Sequence, residues 1–491
     1  MTEPTAQVGV VPSVPVARIA RAFSIQLICR ALGMLASVVS VAMTARYLGP
    51  GRYGQLTIAI AFVGMWTSLA DLGIATVIVR RVSSGRGDLE RLVRVNSGLA
   101  LVYCIPLAAL AAGSGLLIYH DLDVRVMLVV LSGGLLIQTM TTRFEPVFLA
   151  TVRFSAVAIS DVTARTGTLI MVACLVSSHA DVVWFAVAQL IPPAVHLLIQ
   201  GTAATRHVSV RPIFAPRESA DLVRETLPLM GFLVVGLLYT RADGVILSLL
   251  STHAEVGVYG LALTIAFNTI VVSLIFHKST LSTATALFAR DVAAFAGFLR
   301  RSVELMSFVA VPVAVVGALL AGPLIALFGD QAFVARGTPT LALLFVAAAL
   351  RFVSGTLGQG LVAAHLQHVL FWLTVATLAL NIALNLALDG RFGAVGPGVA
   401  LVCTELFHMA ISSLWLRRRC GYRTPVMFML RLLVPTAVSV VVTLLLSDHR
   451  VVVILVCAAV AYLATSAAIG PLRWSALGSL RASLRRSEQM P

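Results

Sequence analysis

The chain has 491 residues, of which 59% are hydrophobic and only 12% are charged, and its mean hydropathy is +0.97. Soluble domains carry about 25% charged residues, so the composition excludes an ordinary soluble protein and indicates a chain that crosses a membrane many times. The formal net charge of +15 would suit nucleic-acid binding. The arginines lie in short loops between apolar runs, however, which favours membrane topology over a nucleic-acid partner.

Fourteen apolar runs of about 20 residues predict fourteen transmembrane helices. The first six runs are 22–45, 55–79, 95–118, 126–150, 155–178 and 182–203. The next six, after a polar connector at 204–225, are 226–250, 258–281, 303–321, 338–363, 369–388 and 394–416. The last two, 426–446 and 451–469, precede a basic tail. The predicted fold is an all-α polytopic membrane protein with two six-helix pseudo-symmetric lobes (22–203 and 226–416), two extra helices within 417–470, and tails at 1–21 and 471–491.

The distribution of positive charge predicts the orientation of these spans. If the N-terminus is cytosolic, 23 of the 36 Lys and Arg residues fall in cytosolic segments and six fall in external loops. Cytosolic loops of membrane proteins carry such an excess. The first 21 residues lack the pattern of a signal peptide. We therefore expect a multi-pass membrane protein with both termini in the cytosol.

An internal repeat supports the division into two halves. Gly51-Arg52-Tyr53-Gly54 opens the second span, and Gly257-Val258-Tyr259-Gly260 opens the eighth span, 206 residues later. Arg143 in span four precedes Arg351 in span ten by a similar 208 residues. Six spans return the chain to the same side of the membrane, so the two halves would be parallel repeats.

Catalytic and metal motifs are missing from the sequence. The six cysteines form no CxxC pair and no Cys/His metal spacing, and no Walker motif is present. No soluble catalytic domain or carboxylate-rich loop interrupts the apolar runs. We expect no metal, no cofactor and no enzymatic activity, and transport energy would come from an ion gradient, the membrane potential or consumption of the substrate.

Arginines inside the spans are the leading binding candidates, because an intramembrane charge is costly and marks a functional site by default. Arg30 and Arg351 have no acidic residue three or four positions away, and Asp243 lies two positions from Arg241, on a different helix face. Arg143 is a fourth candidate. Arginine keeps its charge, so these side chains either line a shared cavity or pair between helices. A cationic cavity predicts an anionic substrate, since the guanidinium fork fits phosphate oxygens.

Acidic residues inside the spans are weaker candidates. Asp71, Asp243 and Glu405 could couple transport to protons or sodium ions, or could cap and pair with neighbouring helices. Asp161 and Arg165 stand at positions i and i+4 of one helix, where they are predicted to neutralise each other.

Four segments resemble bacterial polysaccharide flippases of the Wzx/RfbX type, which belong with MurJ and the MATE exporters to the multidrug/oligosaccharidyl-lipid/polysaccharide (MOP) exporter superfamily. The segments, in order, are ARYLGPGRYG…ADLGIATVIVRR, TRADGVILSLLSTHAEVGVYGLA, GPLIALFGDQAF and NIALNLALDGRFGAVGPGVALVCTEL. The resemblance covers residues 18–416. It implies two six-helix lobes around a V-shaped cavity and export of a polyprenyl-pyrophosphate-linked oligosaccharide by alternating access. By position in the spans, the cavity cations of the family would correspond to Arg30, Arg241 and Arg351.

The resemblance also implies partners and leaves rival functions open. The expected partners are the lipid-linked glycan, membrane lipids, and a polysaccharide polymerase with glycosyltransferases, and the protein is expected to be a monomer. A MATE-like drug efflux pump would instead have an acidic cavity. The sequence is also compatible with a MurJ-like flippase for peptidoglycan precursors and with a membrane scaffold that does not transport.

Overall fold

The computed structural model describes residues 16–71, 73–151, 155–206 and 208–468, and every regular element in these ranges is a helix. The α-helices, in chain order, are α1 (Val16–Asp71), α2 (Ile74–Ser83), α3 (Leu89–Ile118), α4 (Leu122–Thr142), α5 (Glu145–Thr151), α6 (Ser155–Ser177), α7 (Val182–Ala188), α8 (Ile191–Thr205), α9 (Pro216–Leu250), α10 (His253–Phe267), α11 (Val271–Arg290), α12 (Val292–Leu319), α13 (Ala321–Phe328), α14 (Gln331–Ala363), α15 (Gln367–Phe392), α16 (Val395–Cys420), α17 (Val426–Arg431), α18 (Leu433–Leu445) and α19 (Val451–Ala468). The predicted all-α class is confirmed. The predicted tails lie outside the described residues, apart from 16–21 at the start of α1.

Thirteen candidate membrane spans are found in the described part of the chain, and one of them contains two predicted spans. This segment, Leu32–Thr67, is 36 residues long and includes Gly49, whose φ of +66° breaks the helix, followed by Pro50. Ser40 and Ala61 line the same cavity, although a straight helix would separate them by about 31 Å. The chain therefore reverses direction at Gly49-Pro50, which brings the observed spans into agreement with the predicted fourteen.

The spans end at two opposite faces of the molecule. We call the face with the Gly49-Pro50 reversal the turn face, and the face with Arg80 and Arg81, in the last turn of α2, the arginine face. Gly73 lies between α1 and α2 in the chain. Its φ of +68° allows α2 to start in a new direction after α1. The positive-inside rule predicts that the arginine face is cytosolic.

Near the turn face, spans two and eight meet along a glycine seam formed by Gly54, Gly257 and Gly260. A Cβ atom on Gly54 would lie 1.7 Å from the carbonyl oxygen of His253, and one on Gly257 would lie 2.2 Å from that of Pro50. Only glycine permits such close approach of two backbones. The two copies of the sequence repeat are thus packed against each other, and they join the two halves of the chain.

The apolar core also runs through both halves. Met127 on α4, Ile58 on α1, Tyr259 on α10 and Leu344 on α14 belong to one cluster of buried side chains. In the second half, α12, α14, α15 and α16 pack side by side, and α18 and α19 pair next to α12. The Tyr462 hydroxyl on α19 donates a hydrogen bond to the Phe308 carbonyl on α12 (2.8 Å).

Helix α9 begins inside the predicted connector. It starts at Pro216 with Glu218 in its first turn, and both residue types favour a helix N-terminus. The connector residues before it run along α3, where the Ile213 amide donates a hydrogen bond to the Arg94 carbonyl (3.0 Å). The first turns of α9 are consequently fixed against the first half of the chain.

Candidate functional site

A cavity of about 240 Å³ lies between the two halves, directly beneath the glycine seam. Its walls come from α1, α9 and α10, with one residue from the break between α7 and α8. The polar side chains that line it are Ser40, Thr44, Thr57, Gln189, Thr240, Arg241, Thr264 and the hydroxyls of Tyr53 and Tyr259. Thr44, Thr57 and Thr264 donate their hydroxyl protons to carbonyls of their own helices, which leaves oxygen lone pairs to accept hydrogen bonds.

Arg241 provides the positive charge of this cavity. It lies nine residues before the end of α9, near the middle of the span. Its guanidinium approaches α1 at Gly64, where a Cβ atom would lie 3.7 Å from Cζ. Within the described chain Arg241 has no hydrogen bond and no ion pair, and no acidic residue lines the cavity. A charge that arginine cannot lose therefore faces a polar space in which no described side chain acts as its counter-ion.

Arg351 is neutralised inside the second half. Its Nη1 lies 3.4 Å from Oε1 of Glu405 on α16, and its guanidinium stands over the ring of Tyr239, 5.2 Å from the centroid. Glu405 also accepts hydrogen bonds from the Tyr239 hydroxyl (2.9 Å) and from the Ser354 hydroxyl. Tyr239 lies on α9, so this group ties α9, α14 and α16 together.

A second acidic group, formed by Asp243 and Asp389, lies beside the Arg351–Glu405 pair. Asp243, 3% exposed, accepts hydrogen bonds from the Tyr259 hydroxyl (3.1 Å) and from Asn385 (3.2 Å). Asp389, 0% exposed, interacts electrostatically with Asp243, and neither of its carboxylate oxygens has a hydrogen-bond partner within the described residues. Because Tyr259 also lines the central cavity, it connects the cavity to the acidic group.

The charges of this interior do not balance. Among the described residues, Asp243, Asp389 and Glu405 oppose one guanidinium, that of Arg351. An unpaired buried carboxylate costs several kcal/mol, so the group is stable only with added protons or a bound cation. In the described part of the chain no set of three or more His, Cys, Asp or Glu side chains is arranged to hold a metal ion. Carboxylate and amide oxygens of this kind suit a proton or a hard monovalent cation.

The other predicted residues lie elsewhere. Arg143 caps the end of α4, with its guanidinium 4.7 Å from the centroid of the Phe144 ring, and its Nε has no hydrogen-bond partner within the described residues. Arg30 and Asp71 belong to α1, but their side chains lie outside the described part. The substrate-binding roles of Arg30, Arg143, Arg241 and Arg351, and the coupling roles of Asp71, Asp243 and Glu405, stay predictions.

One predicted pair is present as expected. Arg165 Nε lies 3.0 Å from Asp161 Oδ1 on α6, at the i and i+4 spacing that the sequence indicated. The pair packs against α1, because a Cβ atom on Gly33 would lie 2.9 Å from Cδ of Arg165.

Sequence reasoning missed Asp389 and its neighbours. The predicted span eleven ended one residue earlier, so Asp389 fell in a loop, whereas α15 continues to Phe392. The spacing of Asn381, Asn385 and Asp389 at i, i+4 and i+8 was a usable signal, since it places all three on one helix face. Two asparagine side chains followed by a carboxylate on the same face of a transmembrane helix indicate a polar site.

Many membrane-crossing helices and two glycine-joined halves around a polar cavity define a multi-pass membrane protein. Comparison with known families gives the family. The model described as polysaccharide biosynthesis protein matches residues 19–288, more than half of the chain, and the chain belongs to this family.

Solved structures show the same fold at low sequence identity. The lipid II flippase MurJ in an inward-closed conformation has a TM-score of 0.75 and 14% identity, covering 90% of this chain and 97% of its own. An inward-facing multidrug-resistance MATE transporter of the MOP superfamily has a TM-score of 0.68 and 16% identity, covering 81% and 98%. A MOP transporter from Pyrococcus furiosus has a TM-score of 0.55 and 15% identity, covering 81% and 93%. No curated protein sequence matches the chain. The predicted resemblance to MOP-superfamily exporters is confirmed.

Proposed function

We propose that this transporter is a flippase that moves a lipid-linked glycan with an anionic, phosphate-bearing headgroup across the bacterial inner membrane for cell-surface polysaccharide synthesis. The observation that carries the proposal is the guanidinium of Arg241, which faces the cavity between the halves with no counter-ion among the residues that the structure describes. A phosphate group would supply the missing negative charge and match the guanidinium fork. A cationic drug would add a second positive charge to the cavity.

The rest of the lining suits sugar hydroxyls. Threonine oxygens and the Gln189 amide offer acceptors and donors around Arg241. A volume of about 240 Å³ corresponds to roughly eight waters at about 30 Å³ each, which is room for one sugar ring next to a phosphate. The polyprenyl chain would remain in the bilayer while the headgroup crosses from the arginine face to the turn face.

Helix α9 supports coupling of this movement to an ion. Arg241 and Asp243 are two residues apart, about 200° around the helix, so one faces the cavity and the other the interior of the second half. A proton or monovalent cation that binds Asp243 and Asp389 would change the position of α9 and with it that of Arg241. Tyr259, which contacts both regions, provides a second connection.

The cargo assignment is tested by Arg241→Gln in a deletion strain whose surface polysaccharide is quantified. Loss of a hydrogen bond to a charged group costs about 1.5–3 kcal/mol, so export should fall at least about tenfold at unchanged protein level. The matched control is Arg125→Gln, which removes an exposed arginine from the turn face. Normal export by Arg241→Gln would refute the assignment.

Ion coupling is tested by Asp389→Asn in reconstituted vesicles. The substitution keeps the shape of the side chain and removes the charge, so transport driven by an imposed sodium or pH gradient should drop to the level without a gradient. Asp448→Asn, in the exposed loop between α18 and α19, is the control. Gradient-driven transport that persists in Asp389→Asn would show that Asp389 is not the coupling residue.

A further inference from the structure

On the arginine face, one carboxylate holds two adjacent arginines. Oε1 of Glu225 lies 2.5 Å from Arg80 Nη2, and Oε2 lies 2.6 Å from both Nε and Nη2 of Arg81. The arginines end α2, in the first half of the chain, and Glu225 lies on α9. These contacts are outside the candidate spans, at the end of the molecule where a cytosolic headgroup would first arrive.

The Arg80–Arg81 pair has more positive charge than Glu225 can balance. Hydrogen bonds from Arg81 and Arg80 hold the pKa of Glu225 below its ordinary value of 4.5, so the carboxylate is ionised at neutral pH and contributes one negative charge against two positive ones. The neighbouring acid, Glu218, is already bound to Arg91, with Oε1 and Nη2 2.7 Å apart. Two adjacent guanidiniums offer more N–H donors and more positive charge than one carboxylate can satisfy, which suits the oxygens of a phosphate or diphosphate.

Glu225 can release the arginines without movement of α9. Glu218, Leu222 and Glu225 share one face of the helix, and Leu222 is fully buried in an apolar cluster with Ile78 and Val95. This cluster fixes α9 against α2 and α3. A change of side-chain rotamer at Glu225 would therefore expose both guanidiniums while the helices stay packed.

Helix α9 and the segment formed by α1 and α2 lead from the Arg80–Arg81 pair to the central cavity. Arg241 is 16 residues after Glu225 on the continuous helix α9, about 24 Å along its axis. At that level α9 contacts α1, through Gly244 against Ala61 and Arg241 against Gly64. A headgroup released by the Arg80–Arg81 pair would thus move along the boundary between spans two and seven to reach Arg241.

We infer that Arg80 and Arg81 form a loading site for the phosphate-bearing headgroup, and that Glu225 occupies this site until the headgroup displaces it. The inference rests on the proposed function for the identity of the cargo. The chemistry that the site recognises is a phosphate or diphosphate, which a polyprenyl diphosphate, an anionic phospholipid or a free anion could supply.

The first experiment measures the binding of inorganic pyrophosphate to the purified full-length protein by calorimetry. Glu225→Gln removes the competing carboxylate from two exposed ion pairs, so we expect about tenfold tighter binding than in the unmodified protein. Glu218→Gln is the matched control: it also removes an ion pair between α9 and the first half, but it frees only one arginine, and affinity should change less than about twofold. Adding Arg80→Gln and Arg81→Gln to Glu225→Gln should abolish the gain.

A second arm identifies the source of the phosphate. Labelled pyrophosphate bound to the Glu225→Gln protein is challenged with nanodiscs that contain either polyprenyl diphosphate or phosphatidylglycerol. Displacement by polyprenyl diphosphate alone supports a loading site for the cargo, and any other displacement pattern overturns that role.

The inference also fails if Glu225→Gln, with an unchanged melting temperature, binds pyrophosphate no more tightly than the unmodified protein, or if the gain survives loss of both arginines. Neither of these outcomes changes the result expected for export by Arg241→Gln. Conversely, normal export by Arg241→Gln would refute the flippase assignment while a gain in Glu225→Gln would still locate an anion site.

Discussion

The two faces of the molecule close the space between the halves by different physical means. At the turn face, Gly54 and Gly257 bring the backbones of spans two and eight into direct contact. At the arginine face, the halves meet through ion pairs of Glu225 and Glu218 with arginines of α2 and α3, next to the buried cluster around Leu222. Steric packing of this kind tolerates no added atom, whereas ion pairs at an exposed face are weak, adaptable and sensitive to salt and pH.

The difference indicates which face each kind of perturbation will affect. Closure at the turn face includes direct backbone contact between glycines, so a single methyl group there should keep it open. The arginine face combines the buried cluster around Leu222 with ion pairs, and a phosphate, salt or protons can compete for the ion pairs. A flippase whose cargo arrives as an anion would use the charged face for loading and the packed face as the seal against the other side.

The largest effect is expected from Gly54→Ala. The new Cβ would lie 1.7 Å from the His253 carbonyl oxygen, and because that atom is backbone the helices themselves must separate. Overpacking of this kind costs about 1–3 kcal/mol. We expect export to be lost, and a cysteine placed at Thr57 in the cavity to become accessible to a membrane-impermeant maleimide from the turn face.

Gly51→Ala is the control for this experiment. Gly51 lies in the same turn of the repeat, and a Cβ atom there would meet no atom within 4 Å. Export and labelling by Gly51→Ala should match the unmodified protein. Equal behaviour of the two variants would contradict the view that the glycine seam closes the turn face by close packing.

The smallest effect is expected from acid at the arginine face. Hydrogen bonds from Arg91 lower the pKa of Glu218, and those from Arg81 and Arg80 lower the pKa of Glu225, in each case from an ordinary 4.5. Their contribution to stability is therefore complete above about pH 4.5 and is lost as the pH falls below it through the folded-state values. Amide hydrogen exchange at 216–225 should increase about twofold between pH 6 and pH 3.5 after correction for intrinsic rates.

The matched measurement is amide hydrogen exchange at residues 54–60, which begin at Gly54 of the glycine seam. Their exchange should show no increase between pH 6 and pH 3.5. The double variant Glu218→Gln and Glu225→Gln should exchange at the faster rate at both pH values. A parallel pH response at the two faces would show that charge does not distinguish them.

Much of the fold could be predicted because hydropathy acts locally along the chain. The fourteen spans and the i, i+4 pair of Asp161 and Arg165 follow from the sequence, since each depends on residues within one helix. The repeat of Gly51–Gly54 and Gly257–Gly260 indicated two related halves. It did not indicate that the two copies contact each other, because contact between segments about 200 residues apart is not a local property.

The candidate site depended far more on tertiary structure. The sequence identified Arg241 and Arg351 as equivalent cations within spans, and helix packing separates them: Glu405 on α16 neutralises Arg351, while Arg241 faces the cavity with no partner in the described part of the chain. Packing also brings Asp389 to Asp243 and Glu225 to Arg81. The sequence by itself indicated which charges lie at or near the membrane and predicted an anionic cargo. The tertiary structure decided which of these charges are paired, because neutralisation requires the side chain of a distant helix within a few ångströms.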